Sequence, residues 1–228
     1  MSVFFRRRGK APLVLDDTFA NNDWASIIAA CQSGSVPDSW VVGNSKAMTI
    51  GGTDYQIDII GKNHDTYTAG GTAPLTFQMH DCYADTKQMN SSNTNSGGWT
   101  SCAMRSTHLP AILALMPSEV QAGIKEVNKL TSAGSQSSTI NTTADKLFLL
   151  SEIEIFGSVR HSKNGEGTQY AYYKDGRSTV KNIYSRAYHW WERSPTSISN
   201  FCGVRMSGGG AGSYNASNAI GVAFAFCF

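Results

Sequence analysis

Residues 190–195 read Trp-Trp-Glu-Arg-Ser-Pro and form the most distinctive segment of this 228-residue chain. Successive side chains of a strand point to opposite faces, so the two adjacent tryptophans would place one indole on each face of a sheet. Arg193 is suited to stacking or to pairing with a carboxylate, and Pro195 ends the strand. The segment therefore predicts a strand of the core, and Glu192 with Arg193 does not by itself make a catalytic pair.

The residues around this strand predict further short strands, because the second half of the chain has little helical periodicity. Aromatic, apolar and glycine-rich runs alternate there with polar ones. The predicted strands of this half are 147–150, 153–156, 170–173, 189–193, 201–206 and 221–226. The glycine-rich and polar stretch 207–218 is interpreted as a loop.

The first half of the chain begins with a helix and continues with hairpin-forming strands. Asn22 or Asp23 is placed to cap a helix over 24–32, which Gly34 ends. Alternation of apolar and polar residues, with glycine at the turns, then indicates strands. The predicted strands of this half are 40–42, 47–50, 55–60 and 75–79.

Helical periodicity returns between residues 106 and 130, where Pro117 interrupts it. Proline removes a hydrogen bond from a helix interior, so two helices are predicted, the second over 118–130 with Ser118 as its cap. The pattern as a whole indicates a single α+β domain over 19–228. We expect two or three helices, many short antiparallel strands and long loops.

Composition excludes several classes of function. Charged residues make up 16% of the chain and the formal net charge is +2, so no broad positive field for nucleic acid is expected. No apolar run approaches the roughly 20 residues of a membrane span, and no membrane insertion is expected. Polarity comes instead from Ser, Thr, Asn and 22 Gly, which favours a loop-rich binding scaffold.

Residues 1–18 are interpreted as an extended basic arm. The apolar stretch after its basic cluster is too short for a secretory signal, so no signal peptide is predicted. Apolar and guanidinium groups are typical interface anchors. The residues expected to dock the arm onto a partner subunit are Phe4, Phe5, Arg6, Arg7 and Arg8.

The cysteines are expected to be reduced and buried, because they are widely spaced and form no Cys-x-x-Cys pair. They are Cys31, Cys82, Cys102, Cys202 and Cys227. Asn63, His64 and Asp65 are interpreted as stabilising a turn, since one such cluster supplies too few ligands for a metal. Neither a metal nor another cofactor is expected.

Several segments occur in the order found in a known group of proteins. They are 59–65, 89–90, 94–99, 101–105, 147–152, 166–170, 190–195 and 221–226. From residue 24 onward the chain resembles a widespread uncharacterised domain family of Firmicutes and their phages and prophages, marked by a WWLRSP-type signature. Leucine is usual in that family where Glu192 stands, which implies an exposed or variable role at this position.

The resemblance implies a C-type-lectin-like fold, shared with the formylglycine-generating-enzyme group and with phage receptor-binding proteins. Phage proteins of this kind carry ligand-contacting residues near the carboxyl terminus, sometimes diversified by retroelements. Tyrosine supplies rigid contact area there, and Ser and Asn supply adaptable hydrogen bonds. The implied ligand-binding residues are Tyr184, Arg186, Tyr188, Glu192, Thr196, Ile198, Ser199, Asn200, Arg205, Ser213, Tyr214, Asn215, Ser217 and Asn218.

The function implied by the resemblance is that of a non-enzymatic virion protein of a phage or prophage. It would bind a host surface protein or glycan or decorate the particle, form a homo-oligomer and contact other virion proteins through the arm. One alternative is a purely structural head or tail protein. Another is an oxidase of the formylglycine-generating type, which holds copper on a cysteine pair. Cys202 and Cys227 are predicted on adjacent strands, but burial of the two thiols is the simpler interpretation.

Overall fold

The computed structural model describes residues 13–228 and confirms the α+β class, with short helices and small antiparallel sheets. The α-helices of the described residues are α1 (Trp24–Ser33), α2 (Gly98–Ser101), α3 (Leu109–Leu113), α4 (Ser118–Gly123), α5 (Glu152–Phe156) and α6 (Ala171–Lys174). A 3-10 turn, Phe19–Asn21, precedes α1, and a π-helical turn, Met104–His108, precedes α3. Within residues 13–228, no helix is long and apolar enough to cross a bilayer.

Eleven strands lie in the same part of the chain. They are β1 (Ser45–Ile50), β2 (Thr53–Lys62), β3 (Leu75–Met79), β4 (Val127–Ser132), β5 (Ile140–Asp145), β6 (Lys181–Ile183), β7 (Arg186–Tyr188), β8 (Trp190–Thr196), β9 (Asn200–Val204), β10 (Ala211–Asn215) and β11 (Ala225–Cys227). The predicted strand 75–79 agrees with β3 at both ends, and 47–50, 55–60, 189–193 and 201–206 are confirmed with shifted ends.

Two sheets and two separate hairpins organise the strands. The larger sheet has the order β1-β2-β3-β11 and the smaller one β10-β9-β8, with all neighbours antiparallel. The hairpins are β4–β5 and β6–β7. In the smaller sheet the register shifts between Trp191 and Pro195, which leaves the middle of β8 free to bond other parts of the chain.

Helix α1 forms as its sequence predicts. The Asp23 carboxylate accepts a hydrogen bond from the Ser26 backbone N–H at 2.7 Å, so Asp23, and not Asn22, is the cap. Gly34 ends the helix in the left-handed region, at φ 69°. A side chain at Gly123 would meet the Ile28 side chain at 2.8 Å, so glycine there allows α4 to approach α1 closely.

The predicted helix over 118–130 is wrong beyond Gly123. The residues after Gly123 lead into β4, which pairs with β5, and this pairing satisfies the backbone hydrogen-bonding groups. Val127, Lys129 and Thr131 are buried on one side of β4, as the alternation of a strand requires. The same apolar residues fit helical and strand spacing over this short run, and pairing with β5 decides between them. Pro117 holds the cap position, so the prediction of Ser118 as cap is also wrong.

Four other predictions from the sequence are wrong. Residues 153–156 lie in α5, because Ser151 and Glu154 form a reciprocal capping box. Residues 170–173 lie largely in α6, 40–42 do not form a strand, and 207–218 contains β10, which pairs with β9. The run 147–150 is buried as predicted but forms only an isolated bridge, between Phe148 and Ala225.

Aromatic side chains fill the core between α1 and the larger sheet. Phe77 of β3 lies 6.1 Å from Phe19, 6.0 Å from Trp24 and 5.4 Å from Phe226, as ring-centroid distances. Such contacts add to the burial of apolar area. At the end of the predicted arm, Asn22 Oδ1 accepts from the Asp16 N–H at 2.8 Å, so Asp16 is already held by the domain.

Candidate functional site

The predicted ligand-binding residues lie mostly on hairpins and turns of the carboxyl-terminal half. Tyr184 forms the β6–β7 turn and is 80% exposed, and Ile198 in the β8–β9 turn is 67% exposed. The other exposed members are Arg186, Tyr188, Arg205, Asn215 and Asn218. The members of intermediate exposure are Thr196, Ser199, Asn200, Ser213, Tyr214 and Ser217.

Glu192 does not belong to this surface. Its side chain is fully buried in β8, and neither carboxyl oxygen has a hydrogen-bond partner among the described residues. Burial, followed by the charges of Glu152 and Glu166, raises the pKa of Glu192 far above its ordinary value. The expectation of an exposed, ligand-contacting role for Glu192 is therefore wrong, because its side chain faces the interior.

The predicted residues border one segment, 80–95, at several points along its length. Near its start, Tyr184 shares a pocket with His80 and Asp81. Further along, Gln88 donates to the Ser217 carbonyl at 2.5 Å. The set therefore follows this segment, and the structure does not gather it around one point.

Asn95 fixes the far end of that segment to the β8–β9 turn. This fully buried amide donates to the carbonyls of Thr196 at 2.9 Å and Asn200 at 2.7 Å, and its oxygen accepts from the Ser135 N–H at 2.8 Å. Its hydrogen-bonding groups are thus used by the backbone of two loops. The turn that exposes Ile198 is consequently carried on a fixed base.

A pocket of about 280 Å³ lies beneath the β6–β7 turn, and we call it the hairpin pocket. Its walls come from the start of β2, the segment after β3 and the β6–β7 hairpin. The lining residues are Thr53, Asp54, Tyr55, Gln56, His80, Asp81, Cys82, Ala84, Asn182, Tyr184 and Ser185. Only Tyr184 of these was identified from the sequence. The others gave no recognisable motif, since they come from three separate parts of the chain.

A histidine–aspartate pair stands at this pocket. His80 Nδ1 lies 2.7 Å from Asp58 Oδ2, and the Tyr172 hydroxyl donates to the same oxygen at 3.0 Å. The hydrogen bond to Asp58 raises the pKa of His80. Burial opposes ionisation of Asp58, but His80, Ser45 and Lys181 together outweigh it, and the pKa of Asp58 is lowered. The His80 side chain remains 53% exposed.

An ionic cluster is buried beneath the smaller sheet. Arg193 makes a two-pronged pair with Glu154, at 2.5 and 2.9 Å, and Lys129 lies 2.7 Å from Glu154 and 2.8 Å from Asp65. The Tyr170 hydroxyl donates to Asp65. Burial disfavours both carboxylates, yet Arg193 and then Lys129 lower the pKa of Glu154, and Lys129 lowers that of Asp65 to about 2.

The guanidinium of Arg193 also joins three other segments of the chain by hydrogen bonds. It donates to the carbonyls of Leu130, Leu149 and Glu166 at 3.1, 2.8 and 2.8 Å. The register shift in β8 makes room for these contacts. Arg193, Glu154, Lys129 and Asp65 are all buried, and the interpretation of 190–195 as a core strand is confirmed.

The interpretation of residues 63–65 as a turn holds only for Asn63, which has φ 52°. Asp65 is buried in the ionic cluster, and the His64 ring stacks on Tyr170 with centroids 3.9 Å apart. Among residues 13–228 no group of three or more His, Cys, Asp or Glu has the arrangement of a metal site.

The five cysteines are free and buried, as predicted. Burial raises the pKa of each thiol; for Cys31, Cys82 and Cys102 it reaches about 12. Cys202 lies in β9 and Cys227 in β11, which belong to different sheets, so the prediction that they occupy adjacent strands is wrong. These two buried thiols do not fit a copper-binding cysteine pair.

A second, wider concavity lies elsewhere on the described part of the chain. A wide groove of about 980 Å³ runs between the end of α1, the 66–72 hairpin and Phe228. Much of its lining is backbone and small side chains, including Gly70 and Gly71, and it contains none of the predicted ligand-binding residues.

The fold and the site together define an α+β protein with small antiparallel sheets and a surface pocket under an exposed hairpin. A family model described as a domain of unknown function, DUF6273, matches residues 75–228. The chain therefore belongs to this family. Neither the curated proteins nor the solved structures contain a significant match.

Proposed function

We propose that this protein is a recognition protein of a phage or prophage particle that binds a ligand on the host surface through a C-type-lectin-like domain. The resemblance of the WWLRSP-type segment supports the viral context and the lectin-like fold, and the small antiparallel sheets are compatible with that fold. In this proposal the protein is not an enzyme, resides in the virion and assembles as a homo-oligomer.

One observation carries the recognition role. Tyr184 is 80% exposed at the tip of a hairpin that covers a pocket. A large aromatic ring is more stable when it is buried, so its exposure at this position points to a role in binding. Exposed aromatic side chains beside concave surfaces are typical of binding sites. Ile198 and Tyr188 extend the same kind of exposure along the proposed surface.

Replacing Tyr184 with alanine is expected to weaken binding of the purified protein to host cells at least tenfold. The loss follows from removing the most exposed aromatic contact of the proposed surface. Binding is measured by flow cytometry with labelled protein on a panel of Firmicutes strains. Val41→Ala removes a half-exposed apolar side chain outside the proposed surface, so that variant should bind like the parent protein. Absence of binding to every strain would favour the purely structural head or tail protein instead.

The docking role predicted for the arm remains part of the proposal. Its residues lie outside the part of the chain that the structure describes; they are Phe4, Phe5, Arg6, Arg7 and Arg8. Deleting residues 1–12 is expected to abolish incorporation of the protein into particles, measured by immunoblotting of purified virions. The deletion stops at residue 12 because Leu15 packs against the core, so that removing Leu15 as well would disturb the fold. Normal incorporation of the shortened protein would contradict the docking role.

A further inference from the structure

We propose that the hairpin pocket binds an organic ammonium group of the ligand, of the quaternary type found in choline, through its tyrosine rings and carboxylates. This inference rests on the proposed recognition function and names the chemical group that the pocket would take. Three features of the pocket carry it: aromatic walls, uncompensated carboxylates and size.

The aromatic walls suit a cation. Tyr55 and Tyr184 both line the pocket, and Tyr83 stacks on Tyr55 with ring centroids 5.5 Å apart and planes 25° apart. The stack supports the Tyr55 ring from behind. A ring face attracts a cation electrostatically, and alkylated ammonium groups lose little hydration when they move against such a face.

The charges of the pocket have the matching sign. Asp54 and Asp81 line it, and within residues 13–228 neither carboxylate forms an ion pair. The Asp54 carboxylate accepts from the Thr49 hydroxyl, and Asp81 accepts from the Asn182 N–H at 2.8 Å. The described lining contains no lysine or arginine. Such a site disfavours anions and favours a ligand that brings its own positive charge.

The nearby Lys181 does not supply that charge to the pocket. Its ammonium is buried and donates to the carbonyls of Met79 at 2.5 Å and His80 at 2.7 Å. The Lys181 charge acts on the buried carboxylate of Asp58 and, to a smaller extent, on Asp81. Because Asp58 offsets more of that charge than Asp81 does, Asp54 and Asp81 still give the pocket a negative sign while His80 is neutral.

The volume limits the ligand to a small group. At about 280 Å³ the pocket lies just below the range of drug-sized sites, which begins near 300 Å³. A trimethylammonium head group on a short stem fits this description, whereas a longer ligand would extend out beside Tyr184. A neutral saccharide is the competing occupant, because Gln56, Asn182 and the carboxylates also present hydrogen-bonding groups.

The test uses the full-length protein and three soluble probes. Choline is compared with 3,3-dimethylbutan-1-ol, its neutral isostere, and with glucose, by saturation-transfer NMR and calorimetric titration. We expect millimolar binding of choline and at least tenfold weaker binding of the isostere. Asp81→Asn keeps an acceptor oxygen for Asn182 and is expected to weaken choline binding about five- to tenfold, as is Tyr184→Ala. Asp38→Asn, at an exposed carboxylate away from the pocket, should leave choline binding unchanged.

Dependence on pH provides a second, independent readout. His80 faces Asp58, Asp81 and Lys181, and Asp58 raises its pKa, so His80 carries a positive charge below that pKa. Choline affinity should therefore increase as the pH rises through the His80 titration, and His80→Gln should flatten this dependence. Tyr172 still donates to Asp58 in that variant.

The outcomes separate the two proposals. Equal binding of choline and its neutral isostere, binding of glucose alone, or no binding of any probe would overturn the ammonium site. If choline binding is lost in Asp81→Asn while binding to host cells is unchanged, the recognition function survives and the pocket is not its ligand site. Loss of both supports the ammonium group as part of the host ligand.

Discussion

Replacing Arg193 with methionine is expected to lower the free energy of unfolding by about 3–5 kcal/mol. The substitution preserves an unbranched apolar stem but removes the guanidinium that pairs with Glu154 and donates to Leu130, Leu149 and Glu166. Glu154 would then be a buried carboxylate with Lys129 as its remaining ionic partner. Urea denaturation, followed by tryptophan fluorescence, measures the loss.

Two matched variants give this result its meaning. Arg205→Met removes an exposed guanidinium whose Nε donates to one carbonyl, and should change stability by no more than about 0.5 kcal/mol. Arg193→Lys retains the charge but cannot reproduce the two-pronged geometry, so a substantial part of the loss should remain. A loss below about 1 kcal/mol in Arg193→Met would show that the buried cluster does not hold β8 to β4, α5 and the neighbouring loops.

Replacing Glu192 with leucine is expected to stabilise the protein, and by more at higher pH. Burial raises the pKa of the Glu192 carboxyl in the folded state above its unfolded value near 4.5. Between these two pKa values the folded state binds the proton and the unfolded state does not. In this pH range the contribution of Glu192 to stability therefore falls by about 1.4 kcal/mol for each pH unit. At pH 7 the leucine variant should therefore be more stable than the parent protein, and the difference should keep growing with pH until the folded-state pKa is reached.

The gain should shrink as the pH falls through 4.5, because below that pH Glu192 becomes protonated in the unfolded state as well as in the folded one. Burial also raises the pKa of Glu166, so both groups contribute to the pH dependence of the parent protein's stability. The difference in stability between the parent protein and the leucine variant isolates the contribution of Glu192. Thermal melts between pH 4.5 and 8 provide the measurement. Glu192→Gln and Glu119→Gln form the matched pair: both remove one carboxylate, but Glu119 is exposed and its variant should show no such pH-dependent gain.

Local signals in the sequence predict the elements whose ends they mark. Asp23 and Gly34 bound α1, and the buried run of β3 was predicted at both ends. The helices α5 and α6 were missed because they are four or five residues long and their apolar residues fit a strand equally well. The glycine-rich region containing β10 was missed since its pairing with β9 depends on tertiary structure.

The candidate site was less accessible to sequence reasoning. Tyr184 was identified, but Tyr55, His80 and Asp81 come from different strands and loops, and no fixed spacing connects them. Glu192 was misassigned because a polar residue in place of leucine suggests exposure, whereas the structure buries it without a partner. The one available signal for the ionic cluster was the presence of Arg193 directly after two tryptophans, in a segment that predicts a core strand.

The position of β11 beside β3 bears on how the chain reaches its folded state. Gln78 donates to the Ala223 carbonyl across 145 residues of sequence, and neighbouring residues of these two segments form the last pair of the larger sheet. A newly synthesised chain must keep the apolar edge of β3 unpaired until this distant segment emerges from the ribosome. Contacts between such remote residues slow folding, and an open strand edge invites association with other chains. We therefore expect refolding yields to fall steeply with protein concentration.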